Sequence, residues 1–534
     1  MNKNNSKILK LTNLAYNNLK NKNYLKSISL FKKIIAFQSN SPQILCDMAT
    51  ISLKLNKLKD AEKYYLLAIE KKPEFYNAIC NLALIYSIKN ELDLSIDYFL
   101  RATKINPKYF LAFYNLGTIY RKKGDKNKSE HYLKTSVKLN PKHFPSYNNL
   151  FELYDRSNQI KELENLLEYA KSNFNQNSAL IFFEGLIQYK KKNYSKAINF
   201  LSEIILKNID ANKFIITCQI MGKCYDKMGD YEKAFYFFEK ANEHNSQKLI
   251  SKDIYREELD KKIDQFNLLK SKNLKSFNNE NEFNEPIFLI GFPRSGTTLL
   301  DTILRSHPLV NVLEEKPIIT KFIFELKKKL GNEYEKLEFI DEGTYFTLRN
   351  IYFNERKKYL DGDKKKIVID KLPLNIIHTQ EINIFFPKAK FIFCLRNPYD
   401  VVLSCFMQQF ESNYAMENFK DMNSASFLYN KIMNLWELNL KNLTINYHEI
   451  KYEDIVFDFE NTIKSLLKFL DIFWTDNLIK FNETAMKRDL ISTPSYDQVN
   501  QSIYIGSINR WKKYESKFEG CKKYLEKWVA KYNY

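Results

Sequence analysis

The 534-residue chain carries 83 Lys+Arg against 63 Asp+Glu, a formal charge of +20, with 44% hydrophobic and 15% aromatic residues. At about 100–200 residues per domain this length calls for two or more domains, and the apolar content excludes a mainly disordered chain. Twelve glycines and 13 prolines exclude collagen-like and low-complexity architectures, while the basic excess points to an anionic partner without saying which.

The first 23 residues hold lysines but no continuous apolar run and no small-residue cleavage site, so they do not read as a signal peptide. The longest apolar runs, around Ile287–Ile290 and Phe391–Leu395, are strand-sized, far short of the about 18 residues a membrane helix needs. Seven scattered cysteines form no CxxC pair and no Cys/His metal spacing. The expectation is a protein of a reducing, cytoplasmic compartment, with no metal and no transmembrane segment.

A period of 34 residues runs through the first half. In the windows 42–75, 76–109 and 110–143, small residues fall at the eighth position (Ala49, Ala83, Gly117), the twentieth (Ala61, Ser95, Ser129) and the twenty-seventh (Ala68, Ala102, Ser136). A large residue stands at the twenty-fourth (Tyr65, Phe99, Leu133), and Pro73, Pro107 and Pro141 close the units. Small residues let two antiparallel helices approach closely, the large one fills the space beside them, and proline blocks continuation into the next unit. The pattern resembles the tetratricopeptide repeat (TPR). About seven units fit residues 1–248, and such an array implies an all-α superhelix whose concave face binds a partner. Residues 249–284 read as a polar capping helix and an Asn/Glu-rich linker, leaving 285–534 as a second domain.

That domain opens on a short apolar run, Pro286–Phe292, then Pro293-Arg294-Ser295-Gly296-Thr297-Thr298 and a helical stretch ending at Pro308. Strand, tight loop and helix make a phosphate cradle. The spacing Gly291-x4-Gly296 matches the nucleotide P-loop, but Thr297 stands where that motif needs Lys; Arg294 is the cation available inside the loop. A second strand, Phe391–Leu395, leads into Arg396 and a helix carrying Ser404. Only 11 of the 83 basic residues are Arg, and Arg294 and Arg396 each follow one of these strands, where a planar fork suits a phosphate.

The loop Gly291–Leu300 resembles the phosphosulfate loop of sulfotransferases that use 3′-phosphoadenosine 5′-phosphosulfate (PAPS). The resemblance covers about residues 285–515 and implies an α/β, P-loop-like parallel-sheet domain that requires no metal. It implies that Arg294, Ser295, Gly296, Thr297 and Thr298 hold the 5′-phosphate, that Arg396 and Ser404 hold the 3′-phosphate, and that Arg510 lies in a cofactor-closing segment. Glu314-Glu315 stands where tyrosylprotein sulfotransferases carry a Glu-Glu pair, whose second member, here Glu315, is the base. A paired carboxylate can raise its neighbour's pKa, as suits a base near neutrality. Lys371, in Asp370-Lys371-Leu372-Pro373, would contact the sulfonate; the His that cytosolic relatives carry there is missing. Ser495 matches the first Ser of a further sulfonate-contacting stretch. His307 and His378 read as structural.

The implied function is transfer of a sulfuryl group from PAPS to a hydroxyl acceptor, a protein tyrosine among the candidates. Two other readings are a P-loop kinase or NTPase with Asp370 as a magnesium-site acid, and a repeat scaffold with an inactive nucleotide-binding domain. The charge divides unevenly: residues 1–280 hold 47 basic and 29 acidic residues, residues 281–534 hold 36 and 34. The repeats are therefore expected to recruit an acidic protein or peptide, and no nucleic acid is expected as partner.

Overall fold

The computed structural model describes residues 3–37, 41–174, 178–206, 210–245, 251–269, 277, 285–331, 337, 339–360, 367–483 and 505–534. The chain divides into two compact units, Met1–Phe183 and Glu184–Tyr534.

Among the described residues, helix pairs fill the first unit, from Lys3–Lys20 with Tyr24–Phe37 to Phe144–Arg156 with Ile160–Asn173, and the second unit holds the pair Ala211–Met228 with Tyr231–Asn245. The packing inside a pair follows from the small–large alternation. A Cβ at Gly117 would stand 2.6 Å from Leu133, and one at Gly185 2.7 Å from Leu201. The eighth position must therefore stay small for the twenty-fourth to fill the gap. Where the twentieth position is Ser, its buried hydroxyl donates to the carbonyl of the eighth: Ser95 to Ala83 (2.6 Å) and Ser129 to Gly117 (2.8 Å).

Each pair also turns through one residue in the left-handed region. These are Lys22, Asn56, Asn90, Gly124, Asn158, Lys192 and Gly229, with φ between 53° and 84°. Gly and Asn tolerate that region; Lys does not, because its Cβ crowds the following carbonyl.

The second unit continues from the last repeats into a helix, Lys252–Leu269, and an α/β domain. The strands are β1 (Ile287–Gly291), β2 (Val310–Glu314), β3 (Ile367–Lys371), β4 (Lys390–Leu395) and β5 (Asn446–Lys451). They form an all-parallel sheet in the order β2-β3-β1-β4-β5. Near-continuous apolar runs suit a sheet covered on both faces. Phe288, Ile290, Phe391 and Phe393 enter one core; Leu289, Ile392 and Cys394 enter the other, with Leu300, Ile303 and Leu304 of the helix Thr297–Arg305. Ala234 and Phe238 of the last repeat pair, with Tyr255 and Leu259 of the following helix, belong to the first of these cores. The last repeat pair thus shares a core with the α/β domain.

The central strand β1 has neighbours whose connections lead to opposite edges of the sheet. In such sheets the ligand crevice lies beyond the carboxyl ends of the strands at this switch point.

Replacing Lys22 by Gly should raise the unfolding temperature of the repeat array, by about 0.5–1 kcal/mol of relieved strain. A circular-dichroism melt of the Lys22→Gly chain checks this, and an unchanged or lower midpoint is the contrary result.

Candidate active site

Each strand ends on a residue that bears on the site. β1 ends at Gly291, β2 at Glu314 before Glu315, β3 at Lys371, β4 before Arg396 and β5 before Tyr452. Parallel strands bring all five ends to one edge.

The loop after β1 depends on its two glycines. Gly291 has φ 154° and Gly296 φ 95°. A Cβ at Gly291 would lie 2.6 Å from the Cys394 carbonyl, and one at Gly296 2.8 Å from the Tyr452 ring. Between them Arg294 holds φ 72°, uncommon for a side chain other than Asn or Asp. The Ser295 N–H closes the turn on the Phe292 carbonyl (3.2 Å). Ser295, Thr297 and Thr298 are buried, the last two opening the helix. The P-loop lysine position is thus a buried threonine.

Two arginines meet over this loop. Arg294 Nε donates to Ser404 Oγ (3.0 Å), while Arg396 Nη1 donates to the Arg294 carbonyl (3.1 Å) and Nη2 to the Ser507 carbonyl (2.6 Å). The Arg396 guanidinium stacks over the Tyr452 ring at 4.9 Å, and Tyr452 OH shares a hydrogen bond with Ser507 Oγ (2.6 Å). Arg396 Nε is buried without a hydrogen-bond partner. Burial pushes the Arg294 guanidinium down to about 10, reinforced by the positive charges of Arg396 and Arg510. The two expected anion sites are therefore one connected group, and Ser404 bonds Arg294 rather than Arg396. Arg510 pairs with Asp226 (2.9 Å). Ser495 lies outside the described residues.

The acidic pair is organised by Lys371. This lysine is fully buried, its Nζ 2.9 Å from Glu315 Oε1 and 4.0 Å from Glu314 Oε1. Glu315 has φ 50° and donates its N–H to the Lys371 carbonyl (2.7 Å), which turns its side chain out of strand register. Its side chain is 37% exposed and Glu314's 8%, so Glu315 is the carboxylate that a second molecule can reach.

Asp370 does not share this site. Strand alternation places it on the opposite face of β3 from Lys371, beside Phe288 in register and 3.5 Å from the Tyr352 hydroxyl. Burial raises its carboxyl to about 7. Among the described residues no group of three His, Cys, Asp or Glu is placed to hold a metal ion. His307 is structural, its Nδ1 accepting from the Leu309 N–H (3.1 Å) and its Nε2 bonding the Phe473 carbonyl (2.9 Å). His378 is buried beside the Lys262–Glu381 ion pair, and burial, then Lys262, depress its pKa.

In the sequence Ser507 and Asp400 carry no site role, and the stretch Ile450–Ile455, with Tyr452, reads as structural. Tyr452 supports both Gly296 and Arg396; the signal available was its place directly after an apolar-to-charged strand end. Asp400, buried in the first turn of its helix, accepts from the Asn509 N–H (2.7 Å) and the Trp511 N–H (2.9 Å).

Residues 286–476 match the family model described as "Sulfotransferase family", and residues 76–109, 111–143 and 216–247 match the "Tetratricopeptide repeat" model. An uncharacterized protein of Aquifex aeolicus is 31% identical over 336 residues, 59% of this chain and 42% of that protein. The protein-tyrosine sulfotransferase of Drosophila melanogaster is 25% identical over 240 residues, 42% of this chain and 46% of the relative. The chain thus spans less than half the length of either relative. Among solved structures, a sulfotransferase domain from the curacin biosynthetic pathway aligns at 18% identity and TM-score 0.36, over 48% of this chain and 99% of that one. The chain carries tetratricopeptide repeats followed by a sulfotransferase-family domain. That domain is a distant relative of the protein-tyrosine sulfotransferases.

The raised Asp370 carboxyl has a consequence for stability. Its folded value lies above its unfolded value of about 3.9, so its contribution is full below that value and is lost as pH rises through about 7. Asp370→Asn should therefore flatten the fall in melting temperature between about pH 4 and 7. Parallel melting profiles of the two chains over that range test this.

Proposed function

We propose that the chain is a PAPS-dependent sulfotransferase acting on a hydroxyl acceptor, with the repeats recruiting that acceptor or a partner. The observation that carries this reading is the buried, unpartnered Nε of Arg396 in a group that also holds Arg294. Two like-charged forks held together with an unfilled donor suit an oxyanion. The loop's two glycines support the same group, since a Cβ at either would strike Cys394 or Tyr452 and displace the loop.

PAPS, when bound, supplies an activated sulfuryl group with a phosphate as its leaving group. Arg294, Ser295, Gly296, Thr297 and Thr298 would hold its 5′ end, Arg396 and Ser404 its 3′-phosphate, with Ser495 and Arg510 closing from the C-terminal side. Glu315 takes the proton of the acceptor hydroxyl at Oε, a contribution of about 10²–10⁴-fold. Lys371 fixes that carboxylate and sets a desolvated positive charge next to the transferring group. Arg294 neutralises charge on the leaving phosphate. Side-chain cations do this work, and the reading calls for no metal.

An acidic protein or peptide is the acceptor class favoured here, a tyrosine hydroxyl the acceptor group. Its support is the charge of the repeats, which contribute nearly all of the +20, and the likeness to protein-tyrosine sulfotransferases. The seven cysteines are buried and free, which favours a reducing, cytoplasmic setting. No helix among the described residues is long and apolar enough to cross a membrane.

Calorimetry with 3′,5′-ADP, the spent nucleotide, tests the donor site. Arg294→Ala and Arg396→Ala should each weaken binding by about 10–100-fold, the worth of a hydrogen bond to a charged group; no binding by the unsubstituted chain, or indifference to both changes, rejects the reading. Glu315→Gln should bind the nucleotide normally and lose about 10²–10⁴-fold in transfer rate, measured by sulfate incorporation. Capture of an acidic tyrosine peptide by the repeats should weaken between about 0.05 and 0.5 M salt, as a screened charge interaction must; salt-independent capture speaks against it.

A further inference from the structure

The C-terminal stretch Arg510–Cys521 is held from two sides. From the α/β side, Asp400 takes the N–H groups of Asn509 and Trp511, Arg396 bonds the Ser507 carbonyl, and Trp511 stacks on Tyr399 at 4.5 Å. From the last repeat pair, Asp226 takes Arg510 Nη2 (2.9 Å) and the Tyr514 hydroxyl (2.7 Å), while Glu232 pairs with Lys517 (2.6 Å) and Tyr231 meets the Tyr514 ring edge-on. Asp226 is 10% exposed, on a helix whose period belongs to the repeats. Asn509, immediately before Arg510, holds φ 56°. Arg510 is close enough to the loop for its charge to be felt at Arg294.

We infer that Asp226, a residue of the repeat array, is a positioning residue of the donor site: it holds Arg510 in place for the nucleotide anion. The inference rests on the sulfotransferase reading and extends it, because a repeat helix thereby becomes part of the nucleotide site. A long arginine side chain without its anchor must be ordered when the anion binds, which costs about three- to tenfold in affinity. Removing Asp226 also removes a negative charge, which by itself favours an anion. Because the Asp226 side chain is largely buried, salt screens that gain only in part, and on our inference the loss of the anchor outweighs it.

The substitution to make is Asp226→Asn. The amide keeps an acceptor oxygen for the Tyr514 hydroxyl, so the segment keeps that bond, while the charge that holds Arg510 is gone. The probe is 3′,5′-ADP, titrated at about 0.3 M salt into four full-length chains: unsubstituted, Asp226→Asn, Arg510→Ala and the double variant. The expected result is a three- to tenfold weaker Kd for Asp226→Asn and no further loss when it is added to Arg510→Ala. Unchanged or tighter binding by Asp226→Asn overturns the inference. An equal loss with and without Arg510 also overturns it, because a general loosening of the fold acts in either background. Failure of the unsubstituted chain to bind rejects the donor reading, and this inference with it; binding that ignores Asp226 rejects this inference alone.

Discussion

Two arginine side chains cannot be packed together in a protein interior without something to offset their repulsion and their loss of water. Around Arg294 and Arg396 a set of dipoles helps to meet that constraint. The Arg294 and Ser507 carbonyls, the Ser404 hydroxyl and the face of Tyr452 surround the two guanidinium groups. Partial charges steady a cation without neutralising it.

The neighbouring features are arranged around that choice. Gly291 and Gly296 let the backbone pass close to Cys394 and Tyr452, which brings loop amides alongside the arginines. Carboxylates surround the arginine group as well. Asp400 takes two backbone N–H groups of the C-terminal segment, Glu453 takes the N–H of Asn397 (3.0 Å), and Asp226 takes Arg510. Lys371 forms a second centre with Glu315, Glu314 lying 4.0 Å away.

The repeat array follows a different logic. Its core is a column of small-against-large contacts between successive helices, and its stability is a sum over neighbours. This is why it was readable: the small and large positions recur every 34 residues and each contact is local. The left-handed residue in every turn was equally periodic, yet it escaped notice because its identity varies among Asn, Gly and Lys. The entry of the last pair into the α/β core was not readable, because Ala234 and Phe238 look like any other repeat residues until their partners are known.

In the α/β domain the same division holds. The cradle, Arg396 and Lys371 were legible because each follows an apolar strand, and Glu315 through the resemblance of Glu314-Glu315 to a family pair; parallel strands bring these ends to one edge. Sequence alone could not pair Ser404 with Arg294, set Tyr452 beneath both Gly296 and Arg396, or bring Asp226 to Arg510 across 284 positions. Periodicity and strand-end chemistry are local properties, carried by neighbouring residues along the chain. Which cation shares which partner depends on distances between separate elements, and only the packed sheet with its covering helices fixes those.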